Sequence, residues 1–461
     1  MGIIGAFILP HPPLIIPDVG NGQERLIQST IDSFVHAAER IRSLAPDTIV
    51  VITPHNVLYS DYFHISPGQQ AQGDFRRFGA GGVKVSADYD PVFVAALADN
   101  AAKEGLSAGS LGEKDSCLDH GAMIPLFFVN RLYADYKLVR VCPSCLPYAD
   151  HYRLGMCIDR TCRDLGRRAV IIASGDLSHK LKHDGPYGFA PEGPEFDRRV
   201  TSVMESGDFL EFMSIEPSLA GKAAECGLRP FIIMAGALDA RAVEPRLLSY
   251  EGPFGVGYAA ASFMPGDDDS SRRYLERYFI NEKIKLQNIK DNEDEYARLA
   301  RYALETWMLT RKRPALPQIL PKEMLETRAG VFVSLKKHGE LRGCIGTVLP
   351  STGNVAEEIM HNTLDAALSD SRFEPVSKTE MGDLIYSVYV LSPPEAVDSV
   401  HDLDPQRYGV IVTHDSKRGL LLPGIDGIFS REQQLSIALE KAGIDPDANY
   451  RIERFETSRH I

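Results

Sequence analysis

The sequence predicts an α/β three-layer sandwich followed by a smaller α+β domain, and three observations carry that reading. Short, strongly apolar runs bounded by Pro or Gly alternate with amphipathic stretches through residues 1–264, the signature of a mostly parallel sheet covered on both faces. A polar segment, Pro265–Arg273 (PGDDDSSRR), then has linker composition. Beyond it the helical and strand patterns no longer alternate regularly, as expected of an α+β fold. At 461 residues the chain exceeds one ordinary core. We therefore expect a first domain over 1–264, a linker over 265–280 and a second domain over 281–461.

Taken in order, GIIGAFIL (Gly2–Leu9) is a buried strand, and Glu24–Leu44 has helical periodicity. Asp47–Thr53 is the next strand, Pro91–Lys103 a helix opened by proline, and Leu138–Cys142 and Arg168–Ser174 two further strands. The Gly/Pro-rich stretch His183–Glu195 reads as a loop, placed to act as a lid, and Val256–Phe263 as the last strand of the domain. In the second domain, Tyr296, Leu299, Ala300, Ala303, Leu304, Trp307 and Met308 recur at helical spacing and would bury the only Trp. Strands follow near Gly330–Leu335, Asp383–Leu391 and Gly409–Thr413. A helix over Ser430–Ala442 stops at Gly443, with Pro446 beyond.

A net charge of −13, spread over both domains, offers no basic stripe for a phosphate backbone, so nucleic acid is not an expected partner. No apolar stretch approaches a membrane span, and the first residues lack the basic start and cleavage site of a signal peptide. Seven scattered cysteines fit a reducing cytoplasm better than a disulfide framework. The pair Cys142 and Cys145 has metal-site spacing but no second pair to complete a zinc site.

Three histidines stand just past the ends of apolar runs: His11 in LPHPP, His55 in TPHN and His179 in SGDLSHK. In an open α/β sheet such positions line the ligand crevice. Two neutral imidazoles, His11 and His55, leave a metal short of a third ligand, and a carboxylate is the expected addition. Glu225 lies in an otherwise apolar stretch, where a carboxylate needs a metal or an ion-pair partner such as Arg229 one turn on. His179 reads as a free acid/base whose tautomer Asp176 or Ser178 could set, or else as a fourth ligand or a helix-capping residue. His120, beside Asp119, either touches substrate or caps an apolar helix. Two His, one carboxylate and open positions suit non-haem Fe(II), with substrate and O2 bound side by side.

LPHPP, TPHN, DHGAMIPL, SGDLSHK and the AAE…MAGAL block resemble, in order, the class III extradiol ring-cleavage dioxygenases of LigB type, and that family's relatives, the Memo proteins. The resemblance spans residues 1–264. It implies His11, His55 and Glu225 as Fe(II) ligands, His179 as acid/base and His120 as the histidine that contacts substrate or oxygen. A catecholic, small-molecule aromatic substrate and O2 are the implied reactants. The ECGLRPF segment also looks like the Memo proteins, where a cysteine takes the glutamate's place. Cys226 is then the alternative ligand, in a softer site suited to Zn or Cu.

In the second domain, Gly339–Ser351 alone reads as a sharply turning strand that carries Cys344, and DSRFEPV as a surface salt bridge of Arg372 with Glu374. LRGCIG, DSRFEPV, YSVYVLSPPE and GLLLPGID together resemble the AMMECR1 family over residues 280–461. Arg342, Cys344, Arg372 and Glu374 are the candidates for a polar cleft there. Memo-like and AMMECR1-like domains in one chain resemble the AmmeMemoRadiSam group, which implies a separate radical SAM partner. This chain has no clustered cysteines for an iron–sulfur cluster. The expected function is an Fe(II)-dependent extradiol-type dioxygenase; the alternative is a Memo-like metal-binding or interaction module without ring cleavage. The sequence leaves a homo-oligomer open.

Overall fold

In a computed structural model of the chain, residues 2–112, 117–337, 339–425, 427–428 and 430–461 are described. They divide into two compact units, Met1–Asn281 and Glu282–Ile461. No helix among the described residues is long and apolar enough to cross a membrane.

The first unit contains strands β1 (Gly2–Leu9), β2 (Thr48–Ile52), β3 (Phe63–Ile65), β4 (Gln70–Phe75), β5 (Ala80–Asp88), β6 (Ala108–Gly109), β7 (Lys137–Cys142), β8 (Arg168–Ser174), β9 (Arg241–Glu251) and β10 (Tyr258–Asp268). Eight form one sheet in the order β6-β3-β7-β2-β8-β1-β10-β9, and β4 and β5 form a separate hairpin. The centre, β7-β2-β8-β1, is parallel, while β10 and β9 are antiparallel additions.

Burial explains the layering. The central strands are apolar at nearly every position, so both faces must be covered. Val50, Ile52, Val139, Val141, Ile171 and Ala173 pack on one side, with Phe93, Tyr152, Phe196 and Phe231. Ile49, Val51, Leu138, Val170 and Ile172 pack on the other, with Phe34, Ile41, Ile124 and Leu126. Period-two alternation across a two-sided sheet produces the three layers.

The sequence reading needs four local changes. The segment 265–280 is no linker: β10 runs on to Asp268, pairing Pro265 with Val243 and Asp268 with Arg241, and a helix spans Tyr274–Asp291. The ladder gives these polar residues backbone partners, which composition does not register. The loop after His183 ends early, because a helix starts at Glu192. The helix expected from Glu24 begins at Gln28, after a short 3-10 turn. Trp307 is half-buried, with the Arg311 guanidinium 4.4 Å from its ring centroid.

In the second unit, strands β11 (Val331–Lys337), β12 (Glu340–Gly346), β13 (Leu384–Leu391), β14 (Glu395–Val397), β15 (Gly409–His414), β16 (Lys417–Leu421), β17 (Arg451–Phe455) and β18 (Thr457–His460) form two antiparallel sheets. Their orders are β12-β11-β13-β18 and β14-β17-β15-β16. The helices Glu295–Thr310 and Val355–Leu368 share a core with the first sheet, and Arg431–Ala442 with the second.

Candidate metal centre

Adjacent parallel strands bring the first residues together. Leu9 at the end of β1 is paired with Ser174 at the end of β8, and Ile52 of β2 with Ala173. The chain leaves these strands at one edge of the sheet, where His11, His55 and the 174–179 segment meet. His11, held between Pro10 and Pro12, is 2% exposed and donates its backbone N–H to Asp176 Oδ1 at 2.7 Å.

One proton orients the His11 ring. Ser174 Oγ lies 2.6 Å from the Gly121 carbonyl and 2.9 Å from His11 Nδ1. A carbonyl can only accept, so the single hydroxyl proton goes to Gly121 and the oxygen must accept from Nδ1–H. Nε2 of His11 therefore carries a lone pair, aimed at Nε2 of His55 only 2.9 Å away. Burial, then the His55 imidazole, holds His11 far below the usual histidine range. His55 stands at the rim; desolvation among its neighbours, then His120, brings it down to about 4. At this distance His55 Nε2–H donates to the His11 lone pair, and a cation between the two nitrogens would take the place of that proton.

The side chain that stands beside the two imidazoles is the alternative the sequence offered, Cys226, and not Glu225. Cys226 Sγ lies 3.5 Å from His11 Nε2, and His11, His55 and Cys226 form a group whose donor atoms all lie within 4.8 Å of one another. Glu225 turns away: its carboxylate accepts the Leu228 N–H at 2.6 Å and caps the helix Leu228–Gly236. That helix start has orphan donors and no other side-chain cap, so it claims the neighbouring carboxylate. Burial raises Glu225 to about 7. Arg229, the alternative partner, acts on Glu225 through its nearby charge, with its guanidinium 5.6 Å from the Tyr148 ring centroid. A close backbone approach aims Cys226: a Cβ on Gly175 would stand 2.2 Å from the Gly227 Cα. Two bare glycines thus let the 224–227 turn lie against the end of β8. There the Asp176 N–H donates to Cys226 Sγ at 3.3 Å.

His179 completes the edge. Its Nδ1 hydrogen bonds to the Ala224 carbonyl, and its backbone N–H donates to Ala223 at 3.1 Å. By the same argument Nδ1 carries the proton and Nε2 the lone pair. A backbone carbonyl thus sets the tautomer that the sequence assigned to Asp176 or Ser178. Ser178 instead hydrogen bonds to the Ala223 carbonyl at 3.0 Å, and Asp176 Oδ2 lies 3.9 Å from His179 Nε2. Burial raises the Asp176 carboxyl to about 7. Tyr187, from the Gly/Pro-rich loop, sets its ring edge-on to His179 at 5.2 Å.

His120 opens the helix His120–Asn130, but Asp119 does the capping, accepting the Ala122 N–H at 3.1 Å. Asp119 also accepts the Thr53 hydroxyl at 2.5 Å and pairs with the fully buried Arg140 at 3.5 Å. The His120 ring is left to stack on His55 with centroids 4.3 Å apart. Sequence reasoning missed Ser174; its one available signal was a hydroxyl ending an otherwise apolar strand.

The four candidates of the second unit are engaged locally. Arg342 bonds Glu380 at 3.0 Å and the Glu374 carbonyl at 2.7 Å, while Arg372 pairs with Asp370 at 2.6 Å and not with Glu374. Asp370 also accepts the Cys344 N–H at 2.9 Å, and Arg372 donates to the Cys344 carbonyl at 3.0 Å. These bonds tie β12 to the 370–380 loop. A polar cleft of about 710 Å³ in this unit is lined elsewhere, by His401, Asp402, Asp404, Arg431 and Arg454 among others.

Residues 5–261 match the family described as the catalytic LigB subunit of aromatic ring-opening dioxygenase, and residues 297–460 match the AMMECR1 family. A protein of Clostridium acetobutylicum is 39% identical over 100% of this chain and 99% of its own length. A Thermotoga maritima protein is 45% identical over 36% of this chain and 98% of its own length. A solved structure from Pyrococcus horikoshii, 31% identical, covers 36% of this chain and 88% of its own, with a TM-score of 0.34.

Proposed function

Because the chain belongs to the LigB family through its first unit and to the AMMECR1 family through its second, we propose that the first unit is a metal-dependent oxidoreductase that opens the ring of a catecholic substrate with O2. The observation that carries the reading is the pair of facing Nε2 atoms 2.9 Å apart with Cys226 Sγ 3.5 Å from one of them. Two nitrogens about 2.1 Å from one ion at a right angle span about 3.0 Å, so the imidazole pair suits neighbouring positions of a single cation. His11, His55 and Cys226 would hold it. Fe(II) bound there would supply adjacent positions for a diol and O2.

The protein's own residues manage protons and geometry. Ser174 keeps the His11 lone pair on Nε2. Burial, then the neighbouring Asp176 and Glu225 carboxyls, hold the Cys226 thiol far above its usual range, so a metal bound there would displace its proton. His179 Nε2 takes the proton of a substrate hydroxyl, because its other nitrogen is committed to the Ala224 carbonyl, and returns it as the ring opens. His120, stacked on His55, closes one wall. The net change breaks one ring C–C bond beside the diol and places both oxygen atoms of O2 in the product. The seven cysteines are scattered along the chain in no framework of pairs, which supports a reducing, cytoplasmic setting.

The sulfur donor favours a second reading: a metal-binding module that holds Zn or Cu, turns nothing over and acts with a radical SAM partner. Anaerobic loading with Fe(II), then O2 uptake against a panel of catechols, separates the two. Uptake that His179→Ala abolishes supports the enzyme. Retained Zn or Cu with no uptake on iron loading supports the module.

A further inference from the structure

A second set of donors shares the sulfur. Asp176, His179 and Cys226 also form a group whose donor atoms lie within 4.8 Å of one another. His179 Nε2 and Asp176 Oδ2, 3.9 Å apart, are too distant for a hydrogen bond. Two ligands of one tetrahedral ion, about 2.0–2.2 Å from it, stand about 3.3–3.6 Å apart. That separation is close to the one observed. Each donor also has its other atom occupied in a way that leaves the facing one available. Asp176 Oδ1 accepts the His11 N–H at 2.7 Å, which leaves Oδ2, between His11 Nε2 at 3.8 Å and His179 Nε2 at 3.9 Å, for a cation. His179 Nδ1 is bonded to the Ala224 carbonyl, which leaves the Nε2 lone pair. A thiolate has lone pairs enough for two ions.

We infer that this edge of the sheet binds a second thiophilic divalent cation, Zn(II) or a similar ion, through Asp176, His179 and Cys226, and that this ion is inhibitory. The inference rests on the reading of His179 as the acid/base: an ion on Nε2 occupies the lone pair that would accept the substrate proton. The first ion, on His11 and His55, is unaffected in its nitrogen donors. Excess zinc then stops turnover without displacing the catalytic cation.

The test counts ions on the full-length protein. Equilibrium dialysis against Zn(II), with metal analysis, is expected to give two bound ions per chain. His179→Gln, whose amide can still donate to the Ala224 carbonyl, and Asp176→Asn, which can still accept the His11 N–H, should each reduce this to one. Co(II) should report the same second step as added thiolate-to-metal absorbance, lost in both variants. Thermal melts confirm that each variant is folded. One ion in the parent chain, retained in both variants, overturns the inference and leaves the His11–His55 site standing. One ion lost in both variants and in His11→Ala means a single composite site, which also overturns it. If the parent binds no ion, the proposed function fails together with this inference.

Discussion

Ser174→Ala removes one oxygen from a fully buried position and with it the device that aims His11. The Ser174 hydroxyl serves two groups, the Gly121 carbonyl at 2.6 Å and His11 Nδ1–H at 2.9 Å. Both lose their partner, and each orphaned buried group costs about 1–3 kcal/mol, so unfolding free energy should fall by roughly 2–6 kcal/mol. Freed from the hydroxyl, His11 can carry its proton on either nitrogen, and only one tautomer presents Nε2 to a metal. Loss of such an orienting contact lowers metal affinity by about 10–100-fold. Urea unfolding in the presence of chelator reads the first quantity, and competitive metal titration reads the second. Lower stability with unchanged metal affinity would refute the argument, because Ser174 would then be a packing residue with no hold on the tautomer.

Other perturbations follow from the same geometry. Glu225→Gln keeps an acceptor for the Leu228 N–H and should leave metal affinity unchanged, whereas Cys226→Ser should lower it by at least the roughly 10–100-fold lost with an orienting contact; the reverse ranking in metal titrations restores Glu225 as the donor. Gly175→Ala drives a methyl against Gly227, where the Cβ would stand 2.2 Å from Cα. It should cost about 1–3 kcal/mol in denaturant unfolding and weaken metal binding, and unaltered metal binding would show that the turn is not held by this contact. Burial raises Asp197 to about 6, despite the Ser178 N–H and Tyr250 hydroxyl bonded to it. The folded state therefore holds its proton more tightly than the unfolded chain, and the stability this confers at low pH is lost as pH rises from about 4 to 6. Asp197→Asn should flatten that stretch of the pH–stability curve and raise stability at neutral pH by about 2–3 kcal/mol; an unchanged slope would show that Asp197 does not titrate there.

How much was legible in the sequence depended on how local the signal was. Strands β1 and β8 and the helix Pro91–Lys103 lie where the patterns of apolar runs and caps put them. The stretch 265–273 misled because its partners, such as Val243 and Arg241, are distant in sequence and composition carries no trace of a ladder. Arg372 was matched with Glu374 two residues on, yet Asp370 also receives the Cys344 N–H from β12 and so is held in place for the guanidinium.

The sequence by itself determined a two-sided sheet, its division from a second α+β region, and the arrival of His11, His55 and His179 just past strand ends. Hydrophobic patterning and breakers act over a few residues, which is why one-dimensional reading sees them. Only the tertiary structure decided which of two neighbours faces His11. Glu225 and Cys226 share a turn, and its orientation is set by the bare backbones of Gly175 and Gly227 in contact and by a helix start that needs a cap. Ser174 became visible on the same terms, since its role requires Gly121 and His11 on either side of one hydroxyl. Those contacts join segments dozens of residues apart, and packing alone brings them together.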